Sequence, residues 1–258
     1  MKQKILLLLG AFICVAAALA QKTAMYAITG TEKGKNGWSE VRLVDYNTGN
    51  EVKSVYRNNQ EIELLNARTG KPVVVQNTEQ AARMQAGKPF ATTSAACAYD
   101  KKHDRLYYTP MGINELRYID MKSRTPKIYY FQDEAFGPLK APRDIPNQIT
   151  RMVIASNGNG YALTNDAHHL IQFTTSKRPV ITDLGSITDA PSNTVSIHNG
   201  GGYGGDMVAD TKENLYLVTA NRHVFKISIE TRVAEYLGQI KGLPRGFTTN
   251  GAAVEEGT

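Results

Sequence analysis

The chain has 258 residues, 30 basic and 24 acidic side chains for a formal net charge of +6, and only two cysteines. That length can bury enough apolar surface for one large β domain, or two smaller ones, without cross-links. The positive charge is mild and spread along the sequence with no basic run, which fits solubility and excludes nucleic-acid binding of the kind that needs a clustered patch.

In chain order the first feature is Lys2 and Lys4 ahead of an apolar run from Ile5 to Ala20, which ends in Ala18-Leu19-Ala20 before Gln21. These are the parts of a secretory signal peptide. The protein is therefore expected to be exported, periplasmic or extracellular, with residues 1–20 removed and residues 21–258 forming a single domain. The run is shorter than the roughly 20 residues that cross a bilayer as a helix, and no second such stretch follows, so no membrane span is expected. Cys14 leaves with the peptide, and Ile13 before it is too bulky for lipoprotein processing. Cys97 then stands alone and no intramolecular disulfide can form.

Self-similarity carries the fold. Cys97–Thr109, Met152–Thr164 and Met207–Thr219 align without a gap, and their closing threonines are evenly spaced. Each copy is a short apolar strand, a polar turn of Asp, Asn, Gly and Lys, and a second strand of aromatic or aliphatic residues, which reads as a hairpin. A third strand follows each hairpin, at Leu116–Asp120, Leu170–Thr174 and Val224–Ser228. Fourth strands are expected at Lys127–Phe131, Val180–Leu184 and Val233–Leu237. Four antiparallel strands, repeated, is the pattern of a propeller blade.

The N-terminal part fits the same template with its first strand missing: Met25–Thr29, Val41–Asp45 and Val52–Tyr56 match strands two to four. Ala252–Glu255 matches a first strand and could complete that blade. Leu64–Val73 repeats Leu43–Val52, a duplicated hairpin that either extends the first blade or is the remnant of a fifth. The predicted fold is thus an all-β β-propeller of four-stranded antiparallel blades. Blades are placed at about 23–56 with the duplicated hairpin at 62–76, at 94–131, 150–185 and 205–238, and in part at 247–258. Four to five blades are present, and the sequence is read as an incomplete ring, a fragment whose further blades follow Thr258.

In these repeats the chain resembles exported propellers of the lactonase-like, NHL-like and TolB-like kind, over roughly residues 23–258. The resemblance implies blade geometry and no particular chemistry. The tryptophan-aspartate repeat family fits less well: its period is about 40–45 residues and it uses a Trp-Asp pair, whereas the sole tryptophan here, Trp38, precedes Ser39.

Long connections, at 30–39, 56–93, 132–150, 186–205 and 240–249, all fall on one end of the blades, and function concentrates in such loops. His169 and His223 hold equivalent positions before third strands, where the other copies have Glu115 and Glu40. A ring of His and Glu could bind a divalent cation, but no compact ligand spacing is present, so no metal site and no cofactor are assigned. Arg151 and Asp206 precede equivalent first strands, with Ala96 as the third equivalent, and could contact a polar or anionic ligand at the mouth of a channel. Tyr203, in the Gly200–Gly205 loop, and Trp38 could stack on a planar ligand such as a sugar. The Gly-x-Gly-x-x-Gly within that loop lacks the strand before and helix after that a dinucleotide site requires. His198 is expected in a flexible loop and His103 in a tight turn on the opposite end, both exposed, and Cys97 in the core.

Three function classes follow. The first is a monomeric binding or interaction module that takes a small polar ligand, a glycan or a protein on the long-loop end. The second is a lactonase-like hydrolase or a lyase with a metal-assisted channel site, an expectation drawn from resemblance of fold alone. The third is a structural protein of the cell envelope.

Overall fold

The computed structural model describes residues 24–32, 37–58, 60–73, 89–132, 134–199 and 203–254. The expected signal peptide lies outside them. All regular structure among the described residues is β, and it falls into two compact units that divide after Gln60.

The first unit is one antiparallel sheet of β1 (Ala24–Thr29), β2 (Glu40–Asp45) and β3 (Glu51–Tyr56), in the order β1-β2-β3. The turn from β2 to β3 is built by Asp45, whose Oδ1 accepts the amides of Asn47 and Thr48 at 3.0 and 2.9 Å. The duplicated hairpin that begins the second unit makes the same turn, with Asn66 Oδ1 accepting the amides of Arg68 and Thr69 at 2.9 and 3.0 Å. An Asx side chain that closes its own turn explains why the motif was copied intact.

The second unit contains three sheets. One comprises β4 (Leu64–Asn66), β5 (Ser94–Asp100), β6 (Arg105–Pro110), β7 (Arg117–Asp120) and β8 (Lys127–Tyr130), in the order β4-β8-β7-β6-β5. The next comprises β9 (Ile149–Ile154), β10 (Asn159–Thr164), β11 (Leu170–Thr174) and β12 (Ile181–Asp183), ordered consecutively. The last comprises β13 (Thr188–Asp189), β14 (Gly205–Ala209), β15 (Asn214–Thr219), β16 (His223–Ser228) and β17 (Val233–Gln239), in the order β13-β17-β16-β15-β14. Each contains the four-stranded meander of a propeller blade, and the first and last carry a fifth strand at the outer edge.

Three expectations change. The duplicated hairpin neither extends the first sheet nor forms a separate one; its β4 pairs in parallel with β8. In the same way β13, from the long connection before the last sheet, pairs in parallel with β17. Both cover an outer strand edge that would otherwise present unpaired backbone groups. Of the strand expected at Ala252–Glu255, the described residues 252–254 form none.

The third change is register. In the last two sheets a three-residue turn separates paired ends, Ala155 with Asn159 and Asp210 with Asn214. Asp100 pairs with Arg105 across four residues. The gapless sequence alignment therefore slips by one across the first hairpin, and Cys97, opposite Tyr108, is the structural equivalent of Arg151 opposite Leu163 and Asp206 opposite Val218. Ala96 is not. In all three turns the last residue is left-handed: Asp104 (φ 55°), Gly158 (φ 79°) and Glu213 (φ 63°). That conformation suits three- and four-residue hairpin loops.

Side chains alternate across these strands, so each sheet of the second unit has two packing faces, and two apolar seams result. The first joins Ala96, Ala98, Tyr107 and Tyr118 to Met152, Ala162, Ile171 and Phe173. Phe173 packs 5.6 Å from Tyr107 and edge-on to Phe136 at 5.3 Å. It can lie flat across its sheet because its cross-strand partner is Gly160, where a Cβ would fall 2.0 Å from the ring. The second seam joins Tyr161, Leu163, Leu170 and the loop residues Ile187 and Ile197 to Met207, Leu217, Phe225 and Ile227. Burying each such side chain contributes about 1.5–3 kcal/mol, which lets the unit hold together with Cys97 its sole free cysteine.

Candidate functional site

Within the second unit the described parts of the connections at 132–150, 186–205 and 240–249 lie at the end where β5, β9 and β14 begin. They are held there by polar side chains that are buried or, at Asp189, half-buried. Gln148 Oε1 accepts the amide of Gly112 at 2.7 Å, and its own carbonyl accepts the amide of Asn165 at 3.0 Å. Asn165 Oδ1 accepts the Thr150 hydroxyl at 2.6 Å and the Gly204 amide at 2.8 Å, while its Nδ2 donates to Ile145 O at 2.9 Å. One asparagine thus ties the start of β9 to the connection that precedes it and to the residue before β14. Asp189 does the same for the 189–197 loop, accepting the Ile197 amide at 3.0 Å, the Ser196 hydroxyl at 2.6 Å and Asn193 Nδ2 at 3.0 Å. Burial opposes ionisation of Asp189, but these donors and His198 outweigh it and hold its pKa below the usual carboxylate range.

Arg151 is fully buried. Its Nε donates to Gly204 O at 3.0 Å, and its Nη1 to Thr164 O at 2.7 Å and Asn165 O at 3.1 Å. Burial lowers its pKa to about 10, with Asp166 and Tyr203 acting against that shift, so the guanidinium stays charged at neutral pH. Expected as a ligand contact at a channel mouth, it is instead the clasp between the second and third sheets of this unit. Tyr203, half-buried, is close enough to act electrostatically on that guanidinium.

Asp206 stands at the equivalent register position on β14. Its carboxylate accepts the amides of Ala252 (2.9 Å), Met207 (2.8 Å) and Met152. Burial nevertheless prevails over these three donors and lifts its pKa to about 7. Cys97 lies within electrostatic reach of that carboxylate; burial first, and Asp206 second, push the thiol up to about 12. A thiol so disfavoured from ionising is no nucleophile; Cys97, expected in the core, is of intermediate exposure and belongs to neither apolar seam.

The sign of the Asp206 effect fixes a pH dependence. Its folded pKa exceeds the unfolded value of 3.8, so the folded state holds a proton that the unfolded state has released. The stabilisation is complete below about pH 4 and is lost as pH rises toward 7. Thermal midpoints measured from pH 4 to 8 are expected to fall through this window, and Asp206→Asn is expected to flatten that part of the profile.

His169 and His223 do not converge. His169 Nδ1 meets Asp183 Oδ2 at 2.6 Å, and His223 Nδ1 meets Tyr236 Oη at 3.1 Å. The equivalent Glu115 is buried against Arg117, with Nε and Nη2 at 2.9 and 2.7 Å. Glu40, in the first unit, is bound by Arg42 and by Arg57. Each side chain at this repeat position therefore satisfies a partner within its own sheet. Among the described residues no group of three or more His, Cys, Asp or Glu is placed to hold a metal ion.

His198 is not a free loop residue. Its Nδ1 lies 2.7 Å from Asp166 O and its Nε2 3.0 Å from Ile187 O, and its ring packs 4.7 Å from that of His168. His103, expected exposed, is half-buried with Nδ1 2.6 Å from the buried carboxylate of Asp100. Trp38 is half-buried in the β1–β2 connection of the first unit. Sequence reasoning missed Gln148, Asn165 and Asp189, because their acceptors and donors are mostly backbone groups that no residue pattern announces.

Strand order, repeat and seams together define the chain as a β-propeller repeat protein. No protein-family model and no curated protein matches it. Among solved structures it is similar to virginiamycin B lyase from Staphylococcus aureus, crystallised with quinupristin, at TM-score 0.40 and 12% identity, over 89% of this chain and 74% of that one. It is also similar to a protein of unknown function from Bacteroides caccae, at TM-score 0.37 and 11% identity, over 87% of this chain and 61% of that one. A third is a structure of the nidogen/laminin complex, at TM-score 0.40 and 14% identity, over 86% of this chain and 63% of that one. The chain thus spans less than two thirds of the length of the latter two. Among the described residues no helix is long and apolar enough to cross a membrane.

Proposed function

We propose that this is an exported propeller that works as a binding module, recognising its ligand on the long-loop end. The observation that supports this most is the tethering of those loops by Arg151, Gln148, Asn165 and Asp189. Ordering loops on binding costs free energy, and a surface already held in place avoids that cost. Side chains left outward on this end, His168, Tyr203, Ile145 (49% exposed) and Phe247 (64% exposed), mix aromatic, apolar and imidazole character. That mixture suits a glycan or peptide ligand better than a small ion.

The test is retention of the purified protein on arrays of uncharged glycans and of peptides, with elemental analysis of the same sample. The expected result is selective retention that Tyr203→Ala and Ile145→Asp abolish while the circular dichroism spectrum stays β. Retention untouched by both variants would contradict the reading. So would a stoichiometric divalent metal accompanied by turnover of a retained compound, which would make the protein an enzyme.

A further inference from the structure

The short turns at the opposite end of the second unit carry a feature invisible in the linear sequence. An antiparallel meander places its first and third turns on the same side. The turns at 101–104 and 121–126 of the first sheet therefore share one end, as do those at 155–158 and 175–180 of the next. The two sheets are joined there through Thr175: its carbonyl accepts Arg105 Nη1 and the Tyr107 hydroxyl, both at 3.1 Å, and its hydroxyl lies 3.3 Å from His103 Nδ1.

Seven exposed cations lie on these turns and their flanks: Lys101, Lys102, Lys122, Arg124, Lys127, Lys177 and Arg178. The half-buried Arg105 sits at this junction of the two sheets, its guanidinium 4.5 Å from the centroid of the Tyr118 ring. Of the acids at this end, Asp100 is bound to His103, Asp104 accepts the Tyr99 hydroxyl at 2.8 Å, and Asp120 accepts the Lys122 amide at 3.1 Å. The corresponding turns of the last sheet hold Lys212 and Arg232 against Asp210, Glu213 and Glu230, so the positive charge is confined to two sheets. Strands lie about 4.8 Å apart and packed sheets about 10 Å apart. The cations thus spread over a distance greater than a Debye length of about 8 Å, too wide for one small anion and suited to a polymer with repeated negative charges.

We infer that this turn end of the second unit is a docking surface for an acidic polysaccharide. Tyr99, 40% exposed and fixed by its bond to Asp104, offers a flat ring beside the cations on which a sugar can stack. A membrane surface would favour bulky apolar side chains ready to insert; among the described residues the exposed aliphatic side chain on these turns is Val180. The inference does not depend on the long-loop reading, since it concerns the other end of the strands.

The experiment is titration of the full chain with fluorescent heparin, a sulfated polysaccharide, and with polygalacturonate, a carboxylated one. Salt is varied upward from about 50 mM, since multi-point charge contacts weaken steeply with ionic strength. Binding is expected to both probes. Lys122→Glu with Arg124→Glu, and Lys177→Glu with Arg178→Glu, are each expected to weaken it by about tenfold. Tyr99→Ala is expected to weaken it with no change in salt dependence, and Lys212→Glu and Tyr203→Ala to leave it unchanged. Failure to bind either probe at low salt would overturn the inference. So would equal weakening by Lys212→Glu, or tighter binding to phosphatidylglycerol vesicles or to an oligonucleotide than to either polysaccharide.

Discussion

Replacing Gly205 by alanine is expected to lower the stability of the protein by about 3 kcal/mol or more, the sum of two independent penalties. Gly205 opens β14 with φ at 96°, a left-handed conformation that costs a residue with a Cβ about 1–2 kcal/mol. A Cβ there would also fall 2.0 Å from Val218 O and 2.7 Å from Thr219 Cα, backbone atoms of the paired strand that cannot turn aside. For a unit of this size that loss corresponds to a thermal midpoint lower by about 6–12 °C. Gly49→Ala separates the two terms. Its φ is 71° but nothing lies within 4 Å of the added atom, so only the conformational penalty of about 1 kcal/mol is expected. Equal midpoints for the two variants in differential scanning calorimetry would contradict the close approach of β14 to β15.

Arg151→Met is expected to cost on the order of 4 kcal/mol. Methionine fills most of the same volume, so the loss is chiefly that of hydrogen bonds. Two carbonyl oxygens, Gly204 and Asn165, would lose the donor that now reaches them, at about 1–3 kcal/mol for each group left unsatisfied, and Thr164 O would keep only the Ala167 amide at 3.0 Å. Arg151→Lys keeps the charge but cannot reach all three acceptors with one ammonium, and an intermediate loss is expected. Urea titration of the three proteins tests the order. A methionine variant as stable as the parent would mean that the clasp between the sheets lies elsewhere.

Much of the fold could be read from residue types because its causes are local. Alternating apolar residues between Asp, Asn and Gly turns place β5–β17 within a few residues of their observed bounds, apart from the short β13. What could not be read depends on partners distant in sequence. Nothing within Leu64–Asn66 or Thr188–Asp189 marks them as parallel outer strands, since they pair through backbone groups. The slip that exchanges Ala96 for Cys97 arises from one extra residue in the 101–104 turn, and a gapless alignment absorbs it silently.

The site was less legible for the same reason. His169 and His223 share a repeat position, but what they do is set by Asp183 and Tyr236 on the neighbouring outer strands. Arg151 and Asp206 were correctly singled out as equivalent, yet they answer to carbonyl oxygens and peptide amides, to which the sequence gives no clue. The cations of the turn end are separated by whole strands in the chain, and antiparallel pairing alone brings them to one side.

The central claim is that the long loops are held in place by buried side chains before any ligand arrives. Native-state hydrogen exchange of the amides of Gly112, Ile197 and Gly204, each donated to a side-chain acceptor on this end, tests it most directly. The account predicts protection approaching that of the β10 and β15 amides, with the protection of Gly204 lost in Asn165→Ala and that of Ile197 lost in Asp189→Ala. Exchange of all three at the rate of an unstructured peptide would contradict it.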